Sequence, residues 1–227
     1  MSQTPTTQED EAQAPNVNTC GAYGVTGLTG GTLRFTPADP VYPENNEPAT
    51  AEIIKAAYPK VAAVEGWAEK IVAVAGRLEI PDPGWLANVM WFESLHDPSI
   101  TNESFGCTGL IQFCPNSGAK KVGKTTDELR AMGAIEQMDY VEAYLRPFRG
   151  RLNTSADLYM SIFFPVAVGQ GPSYNIYNWY LTNKGAESAA RYLQANGGIR
   201  TAGDYQSFAD RLARLPTALR TEASAEV

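Results

Sequence analysis

Histidine is nearly absent from this chain, with one among 227 residues, and cysteine is scarce at three. With so few ligands, no HExxH run and no cysteine pair at zinc spacing, a zinc site is not expected; no metal and no cofactor is assigned. Three cysteines cannot close a disulfide framework, because one is left over. Cys107 and Cys114 lie seven positions apart. On an extended backbone that is roughly 23 Å, against the about 7 Å that a disulfide tolerates between Cα atoms. They are therefore expected as buried or idle thiols.

Positive charge is also in short supply. The chain has 18 Lys and Arg against 25 Asp and Glu, a formal charge of -7. This argues against a nucleic-acid partner bound through phosphate neutralisation, and any binding to an anionic wall must be short-range. No stretch approaches the roughly 20 apolar residues of a spanning helix, so no membrane span is expected. The opening run MSQTPTTQEDEAQAPN has neither the basic nor the apolar region of a signal peptide, and none is expected. Strand–helix alternation and internal repeats are missing too.

What remains is a chain of ordinary hydrophobic content, 44%, long enough for one moderate domain and an appendage. Residues 1–48 are rich in Thr, Pro, Gly, Asn and acids and have no helical period. Alone they bury too little apolar surface to offset their ordering entropy. They read as a flexible or partner-ordered arm, with Thr32-Leu33-Arg34-Phe35 as a strand-like stretch.

From Thr50 onward the pattern is helical. Val61, Val64, Trp67, Ile71, Val72, Ala75 and Leu78 predict one amphipathic stripe. Asp82 and Pro83 are the N-cap and first position of a second helix, with Trp85, Leu86, Val89, Met90 and Phe92 as its apolar face. Thr125 and Glu128 have capping-box spacing. Ile135, Met138, Val141, Leu145 and Phe148 mark a further helix, and Leu158, Tyr159, Ile162 and Phe163 one that Pro165 should stop. Thr201 caps a last helix with Tyr205, Phe208, Leu212 and Leu215 on one face. The fold class is mainly α.

Glu93 falls on the same face as Leu86, Val89 and Met90. A carboxyl there faces the core or a cleft at the end of its helix. Desolvation and the negative end of the helix dipole both favour its protonated form, as a general acid requires near neutral pH. The competing reading is a glutamate turned outwards at a fraying helix end.

The residues that follow decide between them. Glu93-Ser94-Leu95-His96-Asp97-Pro98, then Ser104-Phe105-Gly106-Cys107-Thr108-Gly109-Leu110-Ile111-Gln112-Phe113 and Pro115, resemble the lytic transglycosylase family. That family has a helix-ending Glu-Ser, a loop with a proline, and a Gly-x-x-Gly-Leu-x-Gln turn closed by a proline. A looser likeness continues through TTDELRAMGAIEQMDYVEAYLRPF, much as in phage-encoded members, and the resemblance covers Pro81 to about Gly171.

The resemblance implies an α+β lysozyme-like domain over residues 49–170: a helical bundle around a catalytic helix, with a small β element near Gly106 to Phe113. Residues 171–227 would pack on it or extend it. Glu93 would be the sole catalytic acid/base, cleaving the MurNAc–GlcNAc bond of peptidoglycan with a 1,6-anhydro product. Ser94 would hold the carboxyl. Ser104, Gly109 and Gln112 would belong to the sugar-binding set. The family's Ala-Tyr-Asn-Ala-Gly run, whose tyrosine points at the glutamate, is replaced by Leu158-Tyr159-Met160-Ser161-Ile162-Phe163-Phe164-Pro165. Tyr159 and Tyr174 are then the candidates to supply its hydroxyl. Asp97, before Pro98, reads as a turn cap, and His96 as a loop residue. Tyr174, Tyr177, Trp179 and Tyr180 suit either a glycan subsite or core and interface packing.

A wall substrate without an export signal implies carriage in a phage virion, acting in the host periplasm or cell wall, or release at lysis. The expected partners are peptidoglycan strands and, through the arm, virion proteins. A non-catalytic structural virion protein and a hydrolytic goose-type lysozyme are the alternatives.

Overall fold

The computed structural model describes residues 48–205. Thr32–Phe35, Cys20 and the positions Phe208, Leu212 and Leu215 lie outside them. The described chain is mainly helical, with one two-stranded sheet. No helix among the described residues is long and apolar enough to cross a membrane.

Thr50 caps α1 (Ala51–Ala57), its side chain accepting from Ile53 N. A short α2 (Pro59–Ala62) and α3 (Trp67–Leu78) follow. The expected single stripe is thus two helices. Gly66, at φ 79°, takes a left-handed turn that glycine makes at little cost, and Val64, in the same turn, is 38% exposed. The buried face of α3 is Trp67, Ala68, Ile71, Val74, Ala75 and Leu78.

The next helix, α4 (Pro83–Ser94), starts as its sequence predicts, with Pro83 at the first position and Asp82 as N-cap. Asp82 Oδ1 accepts from Gly84 N at 2.8 Å and also from Ala49 N at 2.9 Å. Leu86, Ala87, Val89 and Met90 are wholly buried and Trp91 and Phe92 nearly so, so the helix is wrapped on most sides by apolar neighbours. At about 1.5–3 kcal/mol for each large aliphatic side chain removed from water, this burial outweighs the weak propensity of Val, Trp and Phe. Packing holds α4 in place.

After α4, β1 (Thr101–Asn102) pairs antiparallel with β2 (Cys107–Thr108), Thr101 facing Thr108. A π-helical turn over Pro115–Ala119 leads to α5 (Thr126–Arg130). The Thr125–Glu128 capping box is fully formed. In α6 (Ala134–Leu145), Gln137, Met138, Val141, Tyr144 and Leu145 are buried, whereas Ile135 is 37% exposed beside Gly66 and does not belong to the core face. Ion pairs Lys70–Asp139 and Arg77–Glu142 tie α3 to α6.

The fully buried α7 (Ser155–Phe163) packs on α4 and ends at Phe164, which leaves the helical conformation before Pro165, as the proline demands. A hairpin of α8 (Ile176–Lys184) and α9 (Ala186–Ala195) follows. Residues 202–205 form a last helical turn, with the Thr201 hydroxyl accepting from Asp204 N. One hydrophobic core runs from Ala49 to Tyr205.

Candidate active site

Glu93 lies one residue from the end of α4, a helix whose other buried side chains are nearly all apolar. Its exposure is 1%, and neither carboxyl oxygen has a hydrogen-bond partner among the described residues. Burial alone pushes its pKa up to about 8. A buried carboxylate without donors is costly, and keeping the proton is the way out. At neutral pH this group is an acid holding a proton.

Two left-handed residues end the helix. Leu95 has φ 50° and His96 φ 58°, a conformation that costs roughly 1–2 kcal/mol for each residue with a Cβ. The contacts of His96 offset that strain. Its Nε2 donates to Ala87 O at 2.7 Å, and the edges of Tyr58 and Trp67 enclose the ring. His96 is a loop residue, as expected, and a buried one that braces the turn after α4. Asp97 caps its turn, Oδ1 accepting from Ser99 N at 2.8 Å and Ser99 Oγ at 2.7 Å.

Ser94 departs from its expected role. Its hydroxyl reaches two carbonyls, Met90 at 2.8 Å and Leu110 at 3.2 Å, and its one proton is committed to them, not to the Glu93 carboxyl. It fastens the end of α4 to the turn around Gly109.

That turn also overturns the expectation of free thiols. Thr108 and Phe113 exchange both backbone hydrogen bonds, at 3.1 and 2.8 Å. Gly109 at φ 80° and Gln112 at φ 51° reverse the chain between them. Cys107 and Cys114 flank this bonded pair, where antiparallel geometry brings Cα atoms close. They form a disulfide with Cα atoms 3.9 Å apart. The expected separation of roughly 23 Å belongs to an extended segment, and this segment is a hairpin.

Gly109 is required by its neighbour as well as by its φ: a Cβ would collide with the Gln137 amide. Gln137, missed from sequence, is a wholly buried hub. Its Oε1 accepts from Leu110 N at 2.6 Å, while Nε2 donates to Pro98 O at 2.9 Å and Leu129 O at 2.8 Å. The loop after α4, the turn and α5 all converge on this one amide. Gln112 is buried too. Its Nε2 donates to Gly109 O at 3.2 Å, and its Oε1 has no partner among the described residues.

Tyr144 is the second residue that sequence reasoning missed. Its ring meets Phe113 edge-on, Lys121 Nζ lies 5.4 Å from the ring centre, and its hydroxyl donates to Ser161 O at 3.2 Å. Burial first, and then the negative charge of Glu93, push its pKa up to about 12. A hydroxyl within electrostatic reach of Glu93 thus belongs to α6, at a position the sequence reading did not name. Tyr159 is buried in α7 against Phe92 and Tyr205. Tyr174 is half-buried against Phe164. Ser104 is exposed in the β1–β2 turn, its amide donating to Asn102 Oδ1. Trp179 meets Phe164 and Tyr180 edge-on, and Tyr180 stacks on Tyr192. Packing accounts for most of the aromatic cluster.

Among the described residues no group of three His, Cys, Asp or Glu side chains is placed to hold a metal ion. No family model, no curated protein and no solved structure matches the chain.

Proposed function

We propose that the chain is a peptidoglycan lytic transglycosylase of lysozyme-like fold, with Glu93 as sole acid and base. The observation that carries the reading is a lone carboxyl that keeps its proton to about pH 8, at the end of a helix fastened to a Gly-Leu-Ile-Gln turn. In the first step Glu93 gives its proton to the bridging oxygen between MurNAc and GlcNAc. The resulting carboxylate then takes the proton of the MurNAc 6-hydroxyl as that oxygen closes on C1. The burial that makes Glu93 a good acid returns it to the protonated state. A nucleophile already held in the bound sugar outruns water that nothing positions. Asp97 commits Oδ1 to Ser99, which disfavours it as the second carboxylate of a hydrolase. A phage virion remains the proposed carrier, with peptidoglycan strands as the ligand.

The carboxyl is closed to solvent, so glycan binding has to part the elements over it. That closure favours a second reading, a structural virion protein that keeps the fold without turnover. Digestion of purified sacculi by wild type and Glu93→Gln, with the soluble products weighed, separates them. The expected result is anhydro ends, one water lighter than hydrolysis products, and a loss of about 10²- to 10⁴-fold in the variant. Near wild-type cleavage by Glu93→Gln would end the mechanism, and no cleavage by either protein leaves the structural reading.

A further inference from the structure

We propose that Cys107 and Cys114 form a redox latch that sets the order of the turn on which the Glu93 helix end rests. The inference names the regulation of the proposed active site, and its activity arm rests on that reading.

The latch sits at a junction. The disulfide closes the two ends of the Thr108–Phe113 hairpin. Inside that loop, the Leu110 carbonyl receives the Ser94 hydroxyl and the Leu110 amide donates to Gln137. Phe113, at the other end, packs on Tyr144. These three links join the turn to the residues around Glu93, and all of them start within the segment that the disulfide closes. The turn also holds a left-handed Gln112, which favours opening when the closure is lost.

Both redox states suit the site. Cys107 Sγ lies 3.9 Å from Phe105 O and Cys114 Sγ 3.5 Å from Gln112 O. The dithiol adds one S–H donor at each sulfur, and acceptors are already there. Oxidation is balanced by an external disulfide. The two thiols lose two electrons and two protons, one Sγ–Sγ bond forms, the oxidant's S–S bond breaks and two new thiols depart. Both cysteines are buried, so exchange waits on lifting of the turn and is slow. A chain made among reducing thiols would carry the loose turn, and an oxidising compartment would fasten it. Placement errors near a reacting centre cost on the order of 10- to 100-fold in rate.

The test uses the full chain with Cys20→Ser, so that no third thiol shuffles. It is oxidised with glutathione disulfide, or reduced with a phosphine, and compared with the additional pair Cys107→Ser/Cys114→Ser. Amide exchange should rise at least about tenfold at Thr108, Leu110 and Phe113 on reduction, while Val74 in α3 and Val141 in α6 stay protected. Sacculus cleavage should fall about tenfold in the reduced and serine forms, and reoxidation should restore it only where the cysteines remain. Unchanged exchange at the turn overturns the latch. So does equal cleavage by oxidised and reduced protein, and so does loss of protection at Val74 and Val141, which would make the bond a global staple. If the oxidised protein does not cleave at all, the transglycosylase reading fails, and exchange alone decides the latch.

Discussion

The charge of Glu93 on α4 opposes ionisation of the Tyr144 hydroxyl on α6, which couples the two groups across the helices. In Tyr144→Phe the Ser161 carbonyl loses its donor, at a stability cost of about 1–3 kcal/mol. The proposed reaction also loses a hydroxyl coupled to its carboxylate. Cleavage should fall by about tenfold, as general acid/base assistance is lost in part. Denaturant melts and sacculus digestion check the two effects separately, and wild-type turnover would restrict Tyr144 to packing.

Stability should fall as pH rises. Glu93 has a folded pKa of about 8, against the usual 4.5. Between those values the native state holds a proton that the unfolded state releases, so unfolding is favoured as pH increases. The loss begins near pH 4.5 and is complete above about pH 8, each pH unit crossed between them removing about 1.4 kcal/mol. Glu93→Gln cannot titrate. Urea unfolding at pH 5 and pH 8 should show a drop of a few kcal/mol in wild type that this variant lacks. Equal pH dependence in both would mean that the carboxyl is ionised in the fold.

The same raised pKa fixes the pH dependence of the proposed reaction. The first step needs the protonated carboxyl, so kcat/KM should decline through about pH 8. A profile rising through that region would be the signature of a group acting first as a base.

Gly109→Ala and Gln137→Leu should damage the same junction by different routes. The alanine brings a Cβ into the Gln137 amide at a left-handed position. The leucine strips hydrogen bonds from Leu110 N, Pro98 O and Leu129 O, each a buried group costing about 1–3 kcal/mol when orphaned. Both variants should lose several kcal/mol in denaturant unfolding. Because they share a partner, their effects should not add in the double variant. Additive losses would mean that the two residues do not meet.

Asp97→Asn should be close to neutral for stability and cleavage. An asparagine Oδ1 can accept from Ser99 N as the aspartate does. A loss comparable to that of Glu93→Gln, with reducing ends in the product, would move the protein to the two-carboxylate lysozymes.

Signals confined to a few neighbouring residues were legible in the sequence. Asp82, the Thr125–Glu128 pair and Pro165 act through backbone groups within three residues of themselves, and each sets its boundary as expected. Burial of Glu93 followed from its apolar neighbours one and two turns back. The disulfide was hidden because its reach depends on a left-handed Gln112, a conformation that glutamine does not advertise. Ser94 stands beside Glu93 in the chain, yet its hydroxyl turns to Met90 and Leu110. Gln137 and Tyr144 do carry a signal in the sequence: with Val141 they stand at i, i+4 and i+7, one buried face of α6. A glutamine in an apolar stripe needs partners, and those partners come from loops that no local pattern foretells.

Asp82 carries a lesson for dissecting the chain. Its one oxygen begins the Glu93 helix and also receives the amide of Ala49, so the place where an expressed fragment starts is chemically linked to the start of α4. A fragment opening at Pro48 keeps that amide. One opening at Ala49 replaces it with an ammonium against a carboxylate, and so adds a charge pair that the whole chain lacks. One opening at Ala51 loses both this donor and the Thr50 cap of α1. Fragments differing by three residues at the far end of the chain would then report different properties for Glu93, and a boundary chosen for convenience could be mistaken for a property of the arm.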